Sequence, residues 1–206
     1  MELGIVLLYV GAVLVVNGIW LVGEARAAAY RSAEAESAVV GSPESAPAAE
    51  AHPTFIRGRE VSLINVFTGF IGVAVAVTLL VRGSTQEDLG FLRGSGFILL
   101  FAFTYLWVAA NQFLGAGAHA FGWYCLFVAV TALGAGTYQF IDTPATIANV
   151  WLGVDWFAWA VLWFLFWGLL SLEWPIAKFT GYVAIIVGIG TSWAFGFALL
   201  QGRVAL

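Results

Sequence analysis

The chain has 206 residues, 62% hydrophobic and 10% charged, whereas about a quarter of a soluble domain is charged. A soluble globular fold is excluded, and this composition belongs to an integral membrane protein. The formal charge of -4 comes with no basic patch, which excludes nucleic acid as a partner. The single cysteine, Cys125, has no partner for an intrachain disulfide.

A membrane span needs roughly 20 apolar residues, and six stretches supply them: 3–23, 61–81, 94–113, 122–140, 156–172 and 179–201. No Lys or Arg precedes the first, and it exceeds the roughly 7 to 15 apolar residues of a signal peptide. It therefore reads as a retained span despite the Ala27-Ala28-Ala29 that follows. Its Leu3, Leu7, Val10, Leu14 and Asn17 recur at helical steps, giving one apolar stripe closed by an amide. The segment 24–60 is rich in Ala, Glu, Ser and Pro, with Arg26, Arg31, Arg57 and Arg59. It reads as a mobile loop, with room for a short helix near 25–37 that has little to pack against. No charge separates Arg93 from Asp142, so the third and fourth spans are divided by Gly115-Ala116-Gly117 as a tight turn. In the third span Phe103 and Trp107 lie one turn apart, with Leu100 above and Asn111 below. In the fifth, Trp156, Trp159, Trp163 and Trp167 stand at steps of three, four and four, which places them on one face with Leu162. Spacing alone leaves two readings of these stripes open, a pore wall or the core of a helix bundle. Asp155, just before that span, reads as a helix N-cap that shapes a vestibule with Trp156.

The expected fold is an all-α membrane protein of six transmembrane helices, arranged as three pseudo-repeated two-helix hairpins around a central pore. The odd spans line the axis. The even spans carry small residues, as in Thr68-Gly69, Gly134-Ala135-Gly136 and 188–192, and pack around them or against neighbouring subunits. Arg26, Arg31, Arg57, Arg59 and Lys178 fall on one side and Arg82, Arg93 and Arg203 on the other, a bias that places both termini outside.

Counting Arg93, Asp155 and Glu173 as span ends, the span interiors hold no charge, which disfavours ion channels and proton-coupled carriers. No HExxH, paired carboxylates or Ser with a nearby His occurs in the spans, so no enzyme is expected. His52 and His119 fall in loops without a partner at metal-ligand spacing, and no metal or cofactor is expected.

Five stretches, LGIVLLYVGAVLVVNGI (3–19), FAFTYLWVAAN (101–111), WYCLFVA (123–129), WAVLW (159–163) and PIAKFT (175–180), resemble the AmiS/UreI family. That family comprises the acid-activated urea channel and transporters encoded beside aliphatic amidases. The resemblance implies a passive channel for small neutral amides or urea in the bacterial inner membrane, assembled as a hexamer and supplying a cytoplasmic amidase or urease. It also implies a constriction of Leu7, Leu14, Phe103, Trp107, Trp159, Leu162 and Trp163. Leu3, Val10, Asn17, Leu100, Asn111 and Val187 would lie along the pore. By this alignment Trp107 replaces a Tyr and Val187 a Glu of the urea channel, which turns the expectation towards short aliphatic amides. The loops assigned outside, 82–93 and 141–155, lack histidine, so the channel is expected not to be acid-gated. A second reading is a membrane partner that does not transport but docks a cytoplasmic amidase through 24–60.

Overall fold

The structure, a computed structural model, describes residues 2–40 and 56–205. Six helical stretches are long and apolar enough to cross a membrane. They are α1 (Glu2–Val40), α2 (Gly58–Gln86), α3 (Leu89–Leu114), α4 (His119–Ile141), α5 (Ile147–Ser171), and α6 (Ala177–Val187) continued through a π turn (Gly188–Trp193) into α7 (Ala194–Leu200).

Helix boundaries follow local chemistry. Asp88 caps α3 by accepting from the backbone N–H of Gly90 at 2.7 Å and Phe91 at 3.2 Å, which satisfies otherwise orphaned donors. Gly115, at φ 59°, ends α3, and its missing Cβ makes this left-handed turn cheap. The expected glycine break between the third and fourth spans lies here. Thr146 caps α5 by accepting from Asn149 N at 3.2 Å. The N-cap expectation for Asp155 therefore fails: the helix starts just after Pro144, eight residues before that aspartate. Asp155 instead sits more than two turns inside α5, 1% exposed. The inventory of span charges is thus not empty.

At 39 residues and 1.5 Å per residue, α1 is about 58 Å long, well beyond a hydrocarbon core of about 30 Å. The segment expected as a loop from residue 24 begins as a continuation of this helix, and Arg26 donates to the Tyr182 hydroxyl at 3.3 Å. The remainder of the expected loop at 41–55, His52 included, lies outside the described residues.

The close helix pairs are α2 with α3, α4 with α5, and α1 with the α6–α7 span. The sequence expectation grouped each odd span with the following even one; the observed pairing is shifted by one helix. Steric fit explains the closing pair. Gly4, Gly11 and Gly18 recur every seven residues on α1 and oppose Gly196, Gly188 and Gly181. A Cβ on Gly18 would stand 2.5 Å from the Gly181 carbonyl oxygen, and one on Gly196 would stand 3.0 Å from that of Gly4. Backbones approach this closely only where side chains are absent. Gly181 and Gly188 are seven residues apart but Gly188 and Gly196 are eight; the wider π turn absorbs the extra residue and keeps the third glycine on the shared face. Gly69 and Gly72 likewise face α3, and Gly136 faces α5. These small residues of the even spans thus serve packing within the protomer. Polar contacts add to it: Asn17 and Asn65 exchange amide hydrogen bonds at 3.1 and 2.7 Å between α1 and α2.

Candidate functional site

Helices α1, α3 and α5, with Leu79 of α2 and Ala135, Tyr138 and Gln139 of α4, line a cavity of about 350 Å³. Leu3, Leu7, Val10 and Leu14 line it from α1, Phe97, Phe101 and Tyr105 from α3, and Trp156, Trp159, Leu162 and Trp163 from α5. The α1 and α3 sets and the three tryptophans of α5 follow helical periodicity, at steps of three or four, with Leu162 beside Trp163. A second cavity of about 140 Å³ continues along the bundle, with Asn17, Trp20, Asn111, Gln112 and Phe121 in its wall. Leu14, Tyr105 and Trp163 border both cavities and are buried, so they form the neck between them. The two chambers end in polar side chains: Arg93, Gln139, Thr143 and Asn149 at the larger, Asn17, Asn111 and Gln112 at the smaller.

Ring contacts join the wall residues to one another. Phe101 lies 5.8, 5.5 and 5.9 Å from Trp156, Trp159 and Trp163, centroid to centroid. Trp156 meets Phe97 at 4.9 Å and Trp159 at 5.1 Å, both edge to face, the arrangement favoured by aromatic quadrupoles. Behind the wall, the Trp159 indole N–H donates to Thr191 Oγ1 at 3.0 Å. Thr191 in turn donates to the Val187 carbonyl, so the π turn is also a bracket for a cavity tryptophan.

The structure brings Leu3, Leu7, Val10, Leu14, Trp156, Trp159, Leu162 and Trp163 to the larger cavity and Asn17 and Asn111 to the smaller. It does not bring Phe103, Trp107, Leu100 or Val187 to either. Phe103 is 49% exposed on the outer face. Trp107 packs against Phe121 and Tyr124 of α4 at 5.5 and 5.7 Å. Residues two apart on a helix point about 200° from one another, so a stripe set two residues late in α3 faces away. The aromatics on the cavity are Phe101 and Tyr105, which the sequence reading missed although Phe97, Phe101 and Tyr105 repeat at steps of four. Leu100 packs against the core and its carbonyl accepts from the Tyr124 hydroxyl at 2.8 Å. Val187 is buried in the core, and neither it nor Trp107 borders the two cavities. Trp167 turns from the other three tryptophans towards Trp123 and Trp174. Asp155 does not shape a vestibule either. It is buried, and among the described residues neither carboxylate oxygen has a hydrogen-bond partner. His119, exposed at the start of α4, accepts from Trp123 Nε1 at 3.3 Å.

The AmiS/UreI family transporter profile matches residues 54–203. The chain belongs to the AmiS/UreI family. It is similar to the Rhodococcus erythropolis protein assigned as transporter AmiS2, 32% identical over 198 residues, covering 96% of this chain and 78% of the relative. It is also similar to the acid-activated urea channel of Helicobacter pylori strain J99, 31% identical over 213 residues and covering 93% of each. The electron cryomicroscopy structure of a Helicobacter pylori urea channel in the closed state superposes with a TM-score of 0.74 at 27% identity, covering 98% of this chain and all of that one. The crystal structure of the same channel gives 0.72, with coverage of 98% and 99%. The family and the six apolar helices make this a multi-pass membrane protein of a transporter and channel family.

Proposed function

We propose that the protein is a passive, ion-excluding channel for small neutral amides, acetamide-like compounds or urea, in the bacterial inner membrane with both termini outside. The observation that carries this reading is the pair of cavities meeting at Leu14, Tyr105 and Trp163, walled by apolar and aromatic side chains between polar ends. Such a wall offers flat rings against which a planar amide slides, and no compensation for an ion that sheds its water. The name of the Helicobacter pylori relative, an acid-activated urea channel, supports the same substrate class. A hexamer in which each protomer has its own pore, and delivery of the amide to a cytoplasmic amidase or urease, complete the proposal. Its test is uptake of labelled acetamide into proteoliposomes. Entry should equilibrate, be faster than in empty liposomes, and be unchanged by proton or sodium gradients. Accumulation above the external concentration would overturn the passive reading, and flux no faster than in empty liposomes would overturn transport itself.

A further inference from the structure

The polar end of the larger cavity carries hydrogen-bonding capacity that the fold does not consume. Arg93 is the one charged side chain among the described residues lining that cavity. Its guanidinium lies 4.1 Å over the Tyr138 ring, and no ion pair or hydrogen bond to it occurs among the described residues. Stacking fixes the plane of the group by cation–π attraction while leaving its N–H donors free. Gln139 follows Tyr138 on α4 and lines the same cavity. Its neighbours set its amide orientation. The Pro144 carbonyl can only accept, so Asn149 turns its NH₂ towards it, at 2.8 Å. Asn149 Oδ1 then accepts from Gln139 Nε2 at 3.0 Å, which leaves Gln139 Oε1 as an uncommitted acceptor.

A free planar donor and a free carbonyl acceptor at one cavity mouth are the complement of a primary carboxamide, whose C=O accepts and whose NH₂ donates. We propose that Arg93 and Gln139 form a capture site for the neutral carboxamide group at this mouth, and that the charge of Arg93 rejects cations of the same shape. The inference rests on the amide-channel reading and adds to it the site of entry selection. A cation at the mouth raises the energy of any cation passing it and does not penalise a neutral solute. The hydrogen bonds also give saturation, which a purely apolar mouth would not.

The deciding pair of solutes is acetamide and acetamidinium, which share shape and differ in charge. Flux of each is measured in proteoliposomes containing wild type, Arg93→Gln, Arg93→Lys or Gln139→Leu. Wild type should pass acetamide and reject acetamidinium. Arg93→Gln should lower the acetamide-to-acetamidinium flux ratio at least about tenfold, equivalent to about 1.4 kcal/mol. Arg93→Lys keeps the charge without the planar fork, so it should keep the rejection while raising the half-saturation concentration for acetamide severalfold. Gln139→Leu should raise half-saturation likewise, without admitting acetamidinium. An unchanged ratio in Arg93→Gln, or an unchanged half-saturation concentration in Gln139→Leu, overturns the inference. If Arg93→Gln fails to reach the membrane, half-saturation in the other two variants decides. Wild type that passes no acetamide would instead overturn the channel reading, an outcome distinct from the failure of this site.

Discussion

Leu14, Tyr105 and Trp163 border both cavities, one from each of three helices, so in the proposed channel volume added there should act on permeation. Leu14→Trp should cut acetamide flux at least about tenfold, a barrier change of about 1.4 kcal/mol, while size-exclusion chromatography shows unchanged assembly. Trp163→Ala should widen the neck and let longer amides pass, read as a flatter dependence of flux on chain length. Asp155 poses the opposite case. It touches neither cavity, and both of its oxygens lack a partner among the described residues. A buried polar group left unmatched costs about 1–3 kcal/mol. Asp155→Leu should therefore raise Tm by at least about 2 °C, since each kcal/mol shifts Tm by about 2–4 °C at this size. Acetamide flux should stay at the wild-type level; a fall in both quantities would show that the carboxyl has a partner in the membrane.

Between elements, the seam between α1 and the α6–α7 span depends on what is absent from its glycines. A Cβ at Gly18 meets a carbonyl oxygen that cannot move aside, whereas one at Gly190 meets nothing within 4 Å. Gly18→Leu should force the helices apart and lose the folded protein in mild detergent. Gly190→Ala should be as stable as wild type or more stable by up to about 1 kcal/mol, the helix-propensity difference. Thermal melts of the two side by side test the seam. Equal effects would contradict it. The glycines themselves were visible in the sequence, but their partner was not: a small-residue stripe reads the same whether it meets another helix of its own chain or a neighbouring subunit. Only the opposed sevenfold spacings, brought into register by the π turn, decide for α1.

For the whole molecule the prediction concerns acid. Neither Arg93, Gln139, Thr143 and Asn149 at one mouth nor Asn17, Asn111 and Gln112 at the other includes a histidine, the side chain that titrates near neutrality without help. Acetamide flux should hold steady as external pH moves from about 7.5 to about 5, a window around the histidine range. A severalfold rise in oriented vesicles would contradict this and place the protein functionally beside its acid-activated relative. The sequence by itself determined the class of fold: apolar lengths near one bilayer thickness, broken by Gly115, Asp88 and Pro144, allow little except six helices, because unsatisfied backbone is too costly in lipid. The spacing of the α1 and α5 stripes was also legible, but both helices are apolar on other faces too, Trp167 turns away from its stripe, and spacing alone did not separate a cavity wall from a bundle core. The tertiary structure alone decided the phase of α3, where Phe101–Tyr105 and Phe103–Trp107 are equally good stripes on opposite faces, and it chose by what each face meets. It alone placed Asp155 inside a helix and Arg93 at a cavity, because a charge near the end of an apolar run looks like a boundary until the helix is seen to continue past it.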